Sequence, residues 1–127
     1  IEKLYEISKL IISKLNYIGV LSIEFFITNN NIKVNEIAPR VHNSGHWTMN
    51  GANVSQFEQH IRAISNMPLI KPKTLHSLEM LNIIGTDIHY WEKSNDSEDR
   101  KIHIYGKTEI KKGRKLGHVN SIKRFKK

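Results

Sequence analysis

Two short apolar runs flanking an asparagine triplet constrain this chain more than any other feature. Val20-Leu-Ser-Ile-Glu-Phe-Phe-Ile27 and Ile32-Lys-Val-Asn-Glu-Ile37 are rich in β-branched and aromatic residues, and Asn29-Asn30-Asn31 between them is turn chemistry. The segment reads as a β-hairpin. With all three asparagines in the turn, Thr28 pairs with Ile32 and Glu24 falls opposite Glu36. Directly opposed Cβ atoms lie about 4.5–5.5 Å apart, so the two carboxylates repel. A fold keeps such a pair if a cation sits between them or one carboxyl is protonated. Two hard carboxylates without His or Cys suit Mg²⁺. A two-residue turn at Asn29-Asn30 changes the outcome. Glu24 then faces Asn35, Glu36 points to the other face, and neither needs explaining.

The rest of the chain reads as an alternation of helices and strands. Leu4, Ile7, Ile11, Leu15 and Ile18 recur at helical spacing, which predicts an amphipathic helix over Glu2 to Asn16 with Gly19 at or after its end. Ser55 and Glu58 form a capping-box pair ahead of Phe57, Ile61 and Ile64, which predicts a helix over Ser55 to Ser65. Pro68 and Pro72 bracket a linker. Ser77 to Ile84 reads as a strand ended by Gly85, Asn95 to Arg100 as a polar loop, and Ile102 to Tyr105 as a short strand. Lys112-Gly113 is a turn, and Gly117 to Phe125 a last strand. Of 127 residues 39% are hydrophobic and 25% charged, which argues against disorder. No apolar run is long enough to span a membrane, no signal peptide is evident, and with no Cys there are no disulfides or Cys-based zinc sites. A reducing, cytoplasmic setting fits. The chain opens at Ile1 and is at once mid-helix, which reads as a cut edge.

The loop after the second strand is dense in chemistry. Arg40, His42, Asn43, Ser44 and His46 crowd seven positions around Gly45. Arg40 is a fixed cation whose fork suits an oxyanion. His42 and His46 alone make a weak zinc signal, having no third ligand. The net charge of +8 concentrates late: Lys107, Lys111, Lys112, Arg114, Lys115, Lys123, Arg124, Lys126 and Lys127 face one acid, Glu109. Such a tail fits nucleic acid, a phosphorylated small molecule, or a solvated surface. Lys107 and Arg114 flank the Lys111-Lys112-Gly113 turn, where a hairpin can bring point charge and fork to one phosphate. A nucleic-acid module would interleave aromatics with these charges, and only Tyr105 and Phe125 stand near.

At this point the residues resemble a known family. Asn35-Glu-Ile-Ala-Pro-Arg-Val-His-Asn-Ser-Gly-His46 is similar to the signature of the 5-(carboxyamino)imidazole ribonucleotide synthases, ATP-grasp enzymes of microbial purine biosynthesis. Ser55 to Ile64 resembles the helix that follows it, and Tyr105-Gly-Lys with Gly113-Arg-Lys-Leu-Gly-His118 the family's C-terminal segment. Gly19 to Phe26 resembles the strand that carries the first metal carboxylate in many ATP-grasp enzymes.

The resemblance implies an α+β fold. Residues 1–75 would be part of an ATP-grasp catalytic domain, an antiparallel sheet with packed helices. Residues 76–127 would be a small β-rich C-terminal segment closing the ribonucleotide site. The N-terminal domain and ATP lid would be absent, leaving the chain inactive alone. It implies an ATP-dependent carboxylation of aminoimidazole ribonucleotide by bicarbonate through carboxyphosphate, in a cytoplasmic enzyme that is a homodimer at full length and binds neither nucleic acid nor membrane. Glu24 and Glu36 would hold two Mg²⁺ ions on ATP, and Asn35 would lie beside the nucleotide. Arg40 would be the catalytic cation on the bicarbonate-derived oxyanion. His42, Asn43, Ser44 and His46 would line the ribonucleotide and bicarbonate site, and Lys107 and Arg114 would grip the 5′-phosphate. The chain departs from the pattern at Ala38, where many ATP-grasp enzymes have Asn, and at Val41, where this family often has Pro. A small basic nucleic-acid-binding module, or another ATP-grasp ligase such as the formate-using transformylase, are the competing readings.

Overall fold

A computed structural model describes residues 1–29 and 31–124. The chain forms two compact units. The first comprises residues 1–45 and 56–71, the second residues 46–55 and 72–127.

The first unit opens with α1 (Glu2–Leu15). Asn16 adopts the left-handed conformation (φ 46), its N–H reaching Ser13 O and the Tyr17 N–H reaching Ile12 O, so the last orphan carbonyls are satisfied three residues before Gly19. Ile18 therefore lies outside the helical register. Leu4, Ile7 and Ile11 are half-buried, whereas Leu15 and Ile18 are exposed. Strands β1 (Ser22–Ile27) and β2 (Ile32–Ala38) form an antiparallel pair, and α3 (Gln56–Ile64) completes the unit.

The second unit contains a one-turn helix, α2 (Thr48–Gly51), and a three-stranded antiparallel sheet of β3 (Leu78–Ile84), β4 (Arg100–Ile104) and β5 (Lys115–Ile122). β5 is central, in the order β3-β5-β4. The predicted strand end at Phe125 lies outside the described residues, as do Lys126 and Lys127. A 3₁₀ turn (Gly85–Asp87) runs into α4 (Ile88–Trp91), elements that residue pattern did not predict. The core is Ile83, Ile88, Leu116 and Val119, with Trp91 and Ile102 packed against it. Each such aliphatic side chain contributes about 1.5–3 kcal/mol of hydrophobic stabilisation. Gly117 lets β4 approach closely: a Cβ there would collide with the backbone carbonyl of His103. Segment 46–55 is tied to this unit by backbone bonds, Leu75 N–H to Gly51 O at 2.8 Å and Asn53 N–H to Lys73 O at 3.1 Å.

Candidate active site

The hairpin brings Glu24 and Glu36 together, by a route the residue pattern did not anticipate. Thr28 and Asn31 exchange backbone hydrogen bonds (2.9 and 3.4 Å), so only two residues separate them. Asn30, within the predicted three-residue turn, lies outside the described residues. The pairing from Ile27–Ile32 to Phe25–Val34 follows the shorter turn. A β-bulge then intervenes between Glu24 and Phe25, and Glu24 pairs with Glu36. Asn35 is the extra residue, so Asn35 and Glu36 together oppose Glu24. Asn35 Nδ2 donates to Glu24 Oε2 at 3.3 Å. The two turn lengths weighed from the sequence are thus each half right.

His42 lies against the same carboxylate. Its Nδ1 accepts from the Ser44 backbone N–H at 3.3 Å and lies 2.8 Å from Ser44 Oγ. A nitrogen that accepts an N–H carries no proton in the neutral ring, so the proton resides on Nε2. That Nε2 is 3.6 Å from Glu24 Oε1. Asn43 and Ser44 lie in a 3₁₀ turn, Asn43–Gly45. Arg40 is exposed, its guanidinium donating to Val41 O at 2.9 Å.

Gln56 holds this loop, a residue the sequence reading did not single out. It is buried, its Oε1 accepting the His42 N–H at 2.9 Å and its Nε2 donating to His42 O at 2.8 Å. One amide thus satisfies both backbone groups of His42, as a strand would. Gly45 makes room for it: a Cβ there would sit 2.5 Å from Gln56 Oε1. Gln56→Leu is expected to cost about 1–2 kcal/mol by stranding the His42 N–H, while His42 O keeps the Gly45 N–H at 2.9 Å, and Gly45→Ala to reproduce that loss by displacing the amide. Urea titrations of the two variants and the double variant check this. The double variant is expected to lose no more than the worse single one, and additive losses would rule out the shared cause.

His46, Lys107 and Arg114 belong to the second unit. The His46 ring stacks on His118 at 4.9 Å and meets Tyr105 edge-on at 5.8 Å. Lys107 Nζ donates to Lys115 O at 2.9 Å and sits 5.5 Å from the Tyr105 ring centroid. Arg114 pairs with Glu109 at 2.9 Å, and Lys111 pairs with the same carboxylate at 2.6 Å. Lys123 pairs with Glu79, and Arg124 with Glu98 and Asp99. Among the described residues, Lys111, Arg114, Lys123 and Arg124 of the late basic run are thus paired with carboxylates.

Comparison with known proteins fits this geometry. A family model for the ATP-grasp domain matches residues 1–57, and one for the phosphoribosylaminoimidazole carboxylase C-terminal domain matches residues 79–127. The N5-carboxyaminoimidazole ribonucleotide synthase of Escherichia coli K12 is 47% identical over 116 residues, 91% of this chain and 32% of that protein. The chain belongs to the N5-carboxyaminoimidazole ribonucleotide synthase family. The family's enzyme from Saccharolobus solfataricus is 42% identical over 95% of this chain and 32% of its own length. The crystal structure of the Staphylococcus aureus family enzyme with ADP superposes with a TM-score of 0.86 at 38% identity, covering 98% of this chain and 35% of that one. An Aspergillus clavatus family structure, in complex with ADP and 5-aminoimidazole ribonucleotide, superposes at 0.73 with 37% identity, over 83% of this chain and 30% of that one. The chain thus spans about a third of the length of the relatives it matches. The mixed α/β content, with antiparallel sheets, agrees with the expected α+β class. Among the described residues no helix is long and apolar enough to cross a membrane.

Proposed function

We propose that this chain supplies the metal-carboxylate and ribonucleotide-gripping parts of an ATP-dependent carboxylase that converts aminoimidazole ribonucleotide and bicarbonate to the 5-(carboxyamino) product. The observation that carries it is the opposition of Glu24 and Glu36 across the bulged hairpin. Surface carboxylates so placed repel unless divalent charge is recruited between them. Among the described residues no third His, Asp or Glu completes a metal shell. Glu24 and Glu36 would hold the Mg²⁺, two ions being expected, with the remaining ligands left to nucleotide phosphates and water. The ions would supply charge neutralisation between the β- and γ-phosphates.

The chain's own residues supply the rest. Asn35 donates to Glu24 and the His42 Nε2 edge lies against the same carboxylate, so both bear on its placement. Arg40 offers its guanidinium to the bicarbonate-derived oxyanion. His42, Asn43, Ser44 and His46 line the ribonucleotide and bicarbonate, and Lys107 and Arg114 bind the 5′-phosphate. Residues 1–75 serve as the nucleotide and metal portion, residues 76–127 as the ribonucleotide portion. The γ-phosphoryl passes to a bicarbonate oxygen with loss of ADP. The exocyclic amine then takes up the carboxylate, releasing phosphate and one proton. A homodimeric, cytoplasmic full-length enzyme is part of this reading.

The test is a chimera in which residues 1–127 replace the matching third of the Escherichia coli relative. ADP release is expected to need both the ribonucleotide and bicarbonate. Release that ignores the ribonucleotide, or that formate supports in place of bicarbonate, would refute the assignment.

A further inference from the structure

The second unit holds a buried polar cluster that the reaction above does not use. The register pairs His103 of β4 with His118 of β5, which puts both imidazoles on one sheet face. Their rings stack at 4.5 Å, and His46 stacks on the other side of His118 at 4.9 Å. The middle ring is 1% exposed. Its edge is also engaged, with Nδ1 lying 2.9 Å from the Tyr105 hydroxyl. Two residues along β5, Asn120 is equally buried, and its Nδ2 donates to His46 O at 3.2 Å and to Asn50 Oδ1 at 2.8 Å. Asn50 Oδ1 also receives His103 Nε2 at 2.9 Å.

The chemistry of position 118 follows from these contacts. It needs a flat ring with two stacking faces, and an edge nitrogen for a hydroxyl. Phe would keep the faces and lose the edge, and Gln would keep a polar edge and lose the faces. It also needs to be uncharged. With Nδ1–H donating to the Tyr105 hydroxyl, the neutral ring leaves Nε2 bare and without a partner, and an imidazolium would add a buried, unpaired N–H there. A neutral imidazole is the side chain that satisfies all three demands.

We propose that His118 is a positioning residue: it sets the ring of His46 by stacking and the place of Lys107 through Tyr105, and so governs affinity for the phosphorylated ribonucleotide. This rests on the reading that His46 and Lys107 bind that substrate. Tyr105 is the link to the lysine, since its ring lies under the Lys107 ammonium and its hydroxyl is fixed by His118. Asn120 fixes the backbone of His46 while His118 fixes its ring, so both ends of that residue hang on β5.

Steady-state kinetics of the chimera test it, with His118→Phe, Tyr105→Phe, His46→Ala and Lys107→Ala. Both His118→Phe and Tyr105→Phe are expected to raise the KM for the ribonucleotide about tenfold, with the KM for ATP and kcat within about twofold. A general loss of fold would move all three constants, and that pattern overturns the proposal. Tyr105→Phe keeps the ring and removes one oxygen, so it decides the matter if His118→Phe does not fold. If His46→Ala and Lys107→Ala raise the ribonucleotide KM while His118→Phe and Tyr105→Phe do not, positioning is refuted and the functional reading stands. If His46→Ala and Lys107→Ala also leave it unchanged, the functional reading fails and the positioning role with it.

Discussion

Glu36→Gln in the chimera is expected to lower ATP-dependent turnover by about a thousandfold while leaving the hairpin as stable as before, or slightly more so. The substitution keeps side-chain length and polarity and removes one negative charge. Loss of one carboxylate from a phosphoryl-transfer site removes charge stabilisation that develops in the transition state, which for single electrostatic groups costs about 10²–10³-fold. A bound Mg²⁺ held by only one remaining carboxylate adds to the loss. The effect on the fold has the opposite sign. Glu24 and Glu36 are direct partners, and relieving like-charge opposition across a strand pair gains roughly 0.2–1 kcal/mol. Glu36 is exposed, so no buried group is stranded by the change. Activity falling as stability holds or rises is the mark of a pair retained for function. Turnover and urea midpoint measured on the same preparation check both arms. A variant that keeps activity within threefold would remove Glu36 from the reaction.

Much of this site was legible in the residues, and the reasons for the rest are particular. The hairpin was visible because β-branched runs flank an asparagine cluster, but the facing glutamates were reached through a three-residue turn, whereas a bulge after the shorter turn is what aligns them. The bulge was not visible, since nothing in Val34-Asn35-Glu36 distinguishes a paired residue from an extra one. Asn16 in the left-handed conformation ends α1 where the pattern placed its end, and Ile18, which matched the helical spacing, falls beyond that stop. Gln56 was hidden by its place in an amphipathic helix, where a polar residue reads as solvent-facing; its bond to His42 spans fourteen positions. The allotment of segment 46–55 to the second unit rests on tertiary bonds to residues 73–76, which leave no local pattern. His103 and His118 carried a signal that went unread. In Ile102-His-Ile-Tyr105 and Gly117-His-Val-Asn120 the polar side chains recur at every second position, so each strand sends a polar row to one face. Two such rows on neighbouring strands make a buried polar layer once something covers them.

That layer leads to the second large effect: the second unit is expected to lose about 2–3 kcal/mol of stability between pH 7 and pH 4.5, and most of that loss is expected to vanish in His118→Phe. Burial, then the neighbouring His103 and His46, push the His118 imidazole down to about 4. In the unfolded chain it returns to the ordinary value near 6.5. Between those values the unfolded state binds a proton that the folded state refuses. Stability therefore rises with pH across this window and is lost as pH falls through it. The groups facing His118 are His46, His103 and Tyr105. Of these, His103 is also held below its usual range, chiefly by burial, so it acts with the same sign and leaves a residual slope in the variant. Glu79 and Asp96 are held low, by Lys123 and by the Ile102 backbone N–H respectively, so their contribution is also lost as pH falls, and it persists in the variant as part of the residual slope. Both tryptophans, Trp47 and Trp91, belong to the second unit, so fluorescence excited selectively at tryptophan reports that unit. Urea midpoints followed this way at pH 7, 5.5 and 4.5 give the slope directly. His118→Phe shifts the midpoint at pH 7 by its own packing change, and the comparison uses only how the midpoint moves with pH. A slope as steep in His118→Phe as in the parent chain would show that the buried imidazole takes up its proton freely, and that the cluster is not the closed, uncharged layer its contacts describe.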